Sequence, residues 1–297
     1  MVVGDNSTRW NSTYDSITRA IDLYPAIQLF CIENEDDLGQ DMPTRETWDD
    51  IKDHAHGLKP FKDLTMELQS RATSGNHGSV WETLPALELL LDHMEQMKTR
   101  LEDLTSPLAI AVNSCWQVLS KYYKLTDESY TVYAMATLLN PSLRLQYFHE
   151  HWTEDLAIYI PEVQMACHNH WKQQYLANKS TFSTIPRKRT LLEAFLYKPT
   201  IGQIKDEFDT YLDQPISEIT SYPFNLFRWH FDHKETFPTL YQMALDTLSI
   251  PAMSVECERV FSSAKKLLTP ARNNLQEDII EATECLKAWW DEEIIQQ

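Results

Sequence analysis

Glycine is nearly missing from this sequence, with six residues in 297. Hairpin turns and bulges draw on glycine for their unusual backbone angles, so the shortage argues against an all-β fold. Cysteine is sparse and scattered. The five present (Cys31, Cys115, Cys167, Cys257, Cys285) form no C-x-x-C pair, and the expectation is a reduced protein with buried thiols. No apolar run approaches the ~18 residues a membrane span needs. No hydrophobic leader follows Met1, so neither secretion nor a membrane partner is expected. Positive charge is also short: 26 Lys and Arg against 44 Asp and Glu leave a net charge of −18. Phosphate backbones are held by basic surface, so the balance argues against autonomous DNA binding. Neither G-x-x-x-x-G-K-[ST] nor G-x-G-x-x-G occurs, which removes the two common phosphate-cradling loops.

What is present is helical periodicity. Hydrophobic residues make up 43% and aromatics 11%, enough for one large or two medium domains with real cores. Asn11 or Ser12 is placed to cap a first helix carrying Ile17, Ile21 and Tyr24, and Pro25 should kink or restart it. Thr44 is placed to cap a second, whose face is Trp48, Ile51, Ala55, Leu58, Phe61, Leu64 and Leu68. From Trp81 onward, Leu84, Leu87, Leu91, Met94, Met97 and Leu101 form another stripe. Pro107 starts a helix through Cys115 and Val118. Ser129 is a cap for a helix through Leu138, which Asn140-Pro141-Ser142 should break. Thr131–Met135 is the best strand candidate, and it fits a helix equally. Residues 178–189, rich in Ser, Thr and Lys, read as a linker.

Near the end stands Ile250-Pro251-Ala252-Met253-Ser254-Val255-Glu256-Cys257-Glu258-Arg259-Val260-Phe261-Ser262, where Pro251 is expected to open a helix. Arg272-Asn273-Asn274-Leu275 and Trp289-Trp290 follow. This order, S-x-x-x-E-R-x-F-S with a later R-N-x-L and W-W, resembles the C-terminal signature of hAT-family DNA transposases. Other blocks agree in order. Thr8-Arg9-Trp10-Asn11-Ser12-Thr13-Tyr14 resembles the family's R-W-N-S-T block. Thr47-Trp48 and Leu58-Lys59-Pro60-Phe61 resemble the start of its helical insertion. Ala136–Arg144 resembles A-x-x-L-D-P-x-x-K, with Asn140 where Asp is usual. Asp206–Leu212, Phe227-Arg228-Trp229-His230 and Phe237-Pro238-Thr239-Leu240 complete the series over nearly the whole chain.

The resemblance implies an all-α chain: a helical insertion domain plus the C-terminal helical dimerisation region of an RNase H-like transposase, with the catalytic β-sheet largely absent. Residues 1–14 would be the end of the RNase H-like core, 15–177 the insertion domain, 178–203 a linker and 204–297 the dimerisation region. In the family a BED-type zinc finger and two catalytic aspartates lie before the R-W block. Only eight residues precede Arg9 here, so both are expected to be missing. The resemblance thus leads to the expectation of a truncated, transposon-derived protein that is not an enzyme. It would be a DNA transposase only if the aspartates were supplied from elsewhere.

The resemblance makes Glu258 the last acid of the family's D-D-E site. Two-metal phosphoryl chemistry needs several carboxylates converging on Mg²⁺ ions ~4 Å apart, which one glutamate cannot provide. No cofactor is therefore expected in this chain, although the intact family enzyme uses Mg²⁺. The plainer account of Glu258 is a carboxylate paired with Arg259 or Lys265, or simply solvated. Trp10 and Arg9 match positions associated with transposon-end DNA, where an aromatic ring can stack on an unpaired base. A core tryptophan at a helix start is the plainer account of Trp10. The histidine pairs His54/His56, His149/His151 and His168/His170 point apart on a helix; His230 and His233 could share a face. Zinc would need further ligands, and no spacing supplies them. Phe208, Tyr211, Leu212, Val260, Phe261, Leu286, Trp289 and Trp290 crowd into one short region. They are the candidate core of a homodimer or higher self-assembly; burial against the chain's own insertion helices is the alternative. Family resemblance implies a nuclear protein. A domesticated regulator of DNA or chromatin, acting through a partner, and a piece of an active transposase remain rival readings. The charge of −18 predicts that the purified chain gives no mobility shift with duplex DNA. A salt-dependent shift overturns this expectation.

Overall fold

The computed structural model describes residues 10–69, 78–101, 105–128, 130–152, 156–177, 206–216, 225–267 and 276–291. Among these the protein is all-α, with no strand beyond an isolated bridge between Ser79 and Pro251. The linker expected over 178–189 and the cap expected at Ser129 lie outside the described residues.

Helix α1 (Trp10–Asp22) stops before Pro25 and α2 (Tyr24–Glu33) restarts with that proline in its first turn, where a missing N–H costs nothing. A short α3 (Glu35–Leu38) leads to α4 (Arg45–Leu68). Thr44 caps α4, its hydroxyl accepting from the Thr47 amide at 3.1 Å. Helix α5 (Thr83–Arg100) and α6 (Pro107–Glu128) pack on each other and on α4. They enclose a smaller core of Met94, Met97, Leu108, Val112 and Leu119.

The larger core begins at Val80 and Leu84. It takes in α7 (Tyr130–Leu139), α8 (Arg144–His151), α9 (Ile160–Trp171), α10 (Glu207–Leu212), α11 (Leu226–Asp232) and α12 (Pro238–Leu248). Thr131–Met135 is thus helix, not strand. The core crosses the boundary drawn near residue 177: Phe148, Cys167 and Trp171 share it with Phe208, Tyr211, Leu240, Met243 and Leu248.

Polar atoms at buried helix ends hold this junction together. Tyr211 donates its hydroxyl to the Leu138 carbonyl (3.1 Å), and His230 Nε2 meets the Leu139 carbonyl (2.7 Å). Both carbonyls belong to the last turn of α7, which has no intrahelical donors left. At the start of α12 the Glu207 carboxylate accepts from the Thr239 and Leu240 amides, each at 2.8 Å. Anionic groups are favoured at such N-termini. Trp171 Nε1 donates to Thr239 Oγ1 (2.9 Å), joining α9 to the same node. In α5, Glu88 accepts from Tyr123 (2.9 Å), Trp152 (2.8 Å) and Tyr147.

Pro251 does not open a helix. The Ile250 carbonyl accepts from the Val80 amide (2.9 Å) and the Ala252 amide donates to the Gly78 carbonyl (2.8 Å). These bonds hold the proline extended in the bridge to Ser79, and α13 (Val255–Leu267) starts four residues later. Helix α14 (Glu277–Asp291) packs against α13.

Two stability predictions follow from burial. Leu240, fully buried, should lose about 2–5 kcal/mol on Leu240→Ala in a urea titration, whereas Leu29→Ala on the exposed side of α2 should stay within about 0.5 kcal/mol. Burial, and after it the nearby His233 and Arg144, pulls the His230 imidazole down to about 4 despite its bond to Leu139. Its ordinary value is about 6.5, so the site's contribution is complete above that pH. As pH falls toward 4 the unfolded chain takes up a proton that the folded one refuses, and roughly 3 kcal/mol is lost. The drop in urea midpoint between pH 7 and pH 4.5 should therefore be smaller in His230→Gln than in the wild type.

Candidate functional site

The eight candidate dimerisation residues fall into two groups. Phe208 and Tyr211 are 2% and 1% exposed and sit in the chain's own core, with Leu212 half-buried against it. Their apolar surface is consumed within one chain, the alternative raised by the sequence. The others face outward: Val260 is 48% exposed, Phe261 74%, Leu286 52%, Trp289 47% and Trp290 51%.

Helix α14 explains the outward group. Ile279, Ala282, Leu286 and Trp289 recur at spacings of three, four and three, the a/d rhythm of a helix that docks on another helix. Trp290 widens the stripe. All five are exposed, although an apolar stripe on a lone surface helix would normally face a core. Ile279 and Ala282 lie outside the dimerisation candidates of the sequence, which marks the Trp289-Trp290 end of the helix; its period of threes and fours is the signal that identifies them. A polar clip joins α13 and α14. Ser263 donates to Glu284 (3.1 Å), and Lys287 Nζ reaches both Ser263 Oγ (3.1 Å) and Glu284 (2.8 Å). The hydrogen bond from Lys287 holds the Glu284 carboxyl below the usual carboxylate range against the push from burial, and Ser263 adds a smaller pull.

Glu258 lies exposed in α13, its amide bonded to the Ser254 carbonyl at 3.1 Å. Among the described residues no group of three metal-competent side chains includes Glu258, so these residues do not fit a two-metal Mg²⁺ centre. Arg9 and the Trp10 side chain lie outside the described residues; Trp10 itself begins α1. His230 is committed to the Leu139 carbonyl while His233 stacks on Trp229 (centroids 3.9 Å apart), so they do not act as a ligand pair. Cys31, Cys115, Cys167 and Cys285 are free thiols. Of these four, Cys31 and Cys167 are buried, and burial pushes the Cys167 thiol up to about 12.

One cluster was not foreseen. His168 on α9, Asp206 at the cap of α10 and Asp209 in its first turn bring one ligand atom each within 4.8 Å of one another. His168 Nε2 is 2.7 Å from Asp206 Oδ2, and Lys172 Nζ is 3.5 Å from the same oxygen. Burial raises the Asp206 carboxyl, but the Asp209 amide, His168 and Lys172 outweigh it and hold it below the ordinary value. Nothing in local spacing joins His168 to residues almost forty positions away.

Comparison with known proteins places these elements. Residues 207–290 match the hAT family C-terminal dimerisation region. Over 300 residues the chain is 23% identical to the "Zinc finger BED domain-containing protein DAYSLEEPER" of Arabidopsis thaliana, covering 96% of this chain and 40% of that protein. It is 24% identical over 309 residues to the "Putative AC transposase" of Zea mays, covering 96% of this chain and 36% of the relative. A shorter match to the "Putative AC9 transposase" of Zea mays reaches 33% identity over 84 residues, 28% of this chain and 10% of the relative. The chain thus spans about two fifths of the length of the first two relatives. With α13 and α14 lying inside the matched span, this part of the chain is similar to the C-terminal dimerisation region of the hAT family.

Proposed function

We propose that this chain is a transposon-derived protein whose activity is self-association through α13 and α14, without catalysis of its own. The exposed a/d stripe of α14 carries the reading, because it lies in the span matching a dimerisation region and is left uncovered among the described residues. A second copy would cover Leu286, Trp289 and Trp290 and remove large apolar surfaces from water, each worth about 1.5–3 kcal/mol. Aromatic residues of this kind are the usual anchors of such interfaces. The lack of any three-ligand group around Glu258 among the described residues supports the non-catalytic assignment. Similarity to an AC transposase supports nuclear residence, because transposition acts on chromosomal DNA. The division of labour we propose is an insertion domain over 15–177 and a dimerisation region over 204–297 that share one core.

The exposure of Glu258, beside Val260 and Phe261, favours a second reading. In it Glu258 is lent to an active site completed by residues outside this sequence, and the chain is part of an active transposase. An in-frame upstream reading frame encoding a BED finger and two acidic blocks would establish that version.

Light scattering on the purified chain at ~10 µM should give twice the 34.7 kDa chain mass. Leu286→Asp combined with Trp289→Ser changes only exposed positions, so helix content should stay constant while the dimer dissociates. Losing two anchors should weaken association by roughly thirtyfold or more. A wild-type monomer at this concentration overturns the proposal.

A further inference from the structure

We propose that His168, Asp206 and Asp209 bind one divalent transition-metal ion, of which Zn²⁺ is the representative, and that the ion clasps α9 to α10. The site is distinct from the D-D-E chemistry associated with Glu258. It is the one grouping of three metal-competent side chains among the described residues.

The donor set is chemically suitable. One imidazole and two carboxylates suit Zn²⁺ or Mn²⁺ better than Mg²⁺, which keeps its waters and prefers oxygen ligands alone. Three protein ligands leave a fourth position to water. The three residues are half-buried, so the site is shielded yet reachable.

The geometry needs little rearrangement. Ligands ~2.0–2.2 Å from a tetrahedral ion stand roughly 3.3–3.6 Å apart. The His168–Asp206 pair, now at 2.7 Å, must open by less than about 1 Å, and Asp209 must close in from within 4.8 Å. Asp206 can do this with one oxygen. Its Oδ1 accepts the Asp209 amide at 3.0 Å and caps α10, which leaves Oδ2 for the ion. The His168 ring is already set in place. It stacks on Trp171 at an interplanar angle of 10° with centroids 5.6 Å apart, and lies 5.2 Å from Phe208. Such an apolar setting fixes the orientation of a ligating imidazole.

Lys172 is the competitor. Its ammonium sits 3.5 Å from Asp206 Oδ2, but the side chain is 46% exposed and can swing into solvent. In the metal-free state the Lys172 ammonium, with the hydrogen-bonded His168 ring beside it, stands in for the ion next to the two carboxylates. The net charge of −18 adds a long-range attraction for cations.

The experiment titrates ZnCl₂ into the full chain and follows heat of binding and Tm. One site per chain should appear, raising Tm by several degrees, with reversal by EDTA. Asp209→Asn keeps the shape and the Asp206 cap; it should weaken Zn²⁺ binding at least tenfold and remove most of the shift. Lys172→Ala keeps all three ligands and removes the competing charge, so it should bind Zn²⁺ more tightly than wild type; this variant carries the test if Asp209→Asn does not fold. A wild-type Tm unmoved by Zn²⁺, a full shift retained in Asp209→Asn, or binding weakened in Lys172→Ala overturns the site. None of these outcomes bears on self-association, which the light-scattering experiment reads separately.

Discussion

A helix that ends inside a protein core leaves carbonyls or amides that water cannot reach, and each must find a partner. This protein buries the C-terminus of α7 and the N-terminus of α12, and answers both from the far side of the undescribed span 178–205. Tyr211 and His230 supply hydrogen bonds to Leu138 and Leu139. Glu207 receives the first amides of α12, and Trp171 closes the node through Thr239. Apolar packing by Phe148, Trp171, Phe208 and Leu240 surrounds these bonds but does not by itself dictate which helix end meets which. The polar pairs set the register, since an unmade one would cost about 1–3 kcal/mol.

Arg144 shows the same constraint at greater cost. It is 2% exposed, with φ at 50°, a conformation few residues other than glycine adopt. Its Nη1 reaches the Gln214 and Pro215 carbonyls at 2.6 and 2.8 Å, and its guanidinium lies 4.6 Å from the Tyr211 ring centre. Nε and Nη2 have no hydrogen-bond partner among the described residues. The Asn140-Pro141-Ser142 break makes this possible: it ends α7 and turns the backbone so that the next helix starts with an inward-pointing cation. The strain and the burial both serve to hold the segment after α10 against α8.

Local signals were legible in the sequence, and long-range allocation was not. Thr44 capped its helix, Pro107 began one, and Asn140-Pro141 ended one, because each effect acts within a turn of its own residue. Pro251 misled because its role depends on Gly78 and Val80, over 170 positions away in the chain. Phe208 and Leu286 look alike as large apolar residues near the C-terminus. Only packing reveals that one is interior and the other has no cover. The same limit hid the meeting of His168 with Asp206 and Asp209, whereas the period of Ile279, Ala282, Leu286 and Trp289 was available to a reader counting threes and fours.

The shared core also bears on synthesis. Its members run from Val80 to Leu248, so α7 and α9 emerge from the ribosome long before α12 arrives to cover them. At about 5–20 residues per second the nascent chain spends several seconds with Phe148, Val163 and Trp171 uncovered. Folding of this body therefore waits for α12, and until that helix is made the nascent chain is a natural client for chaperones.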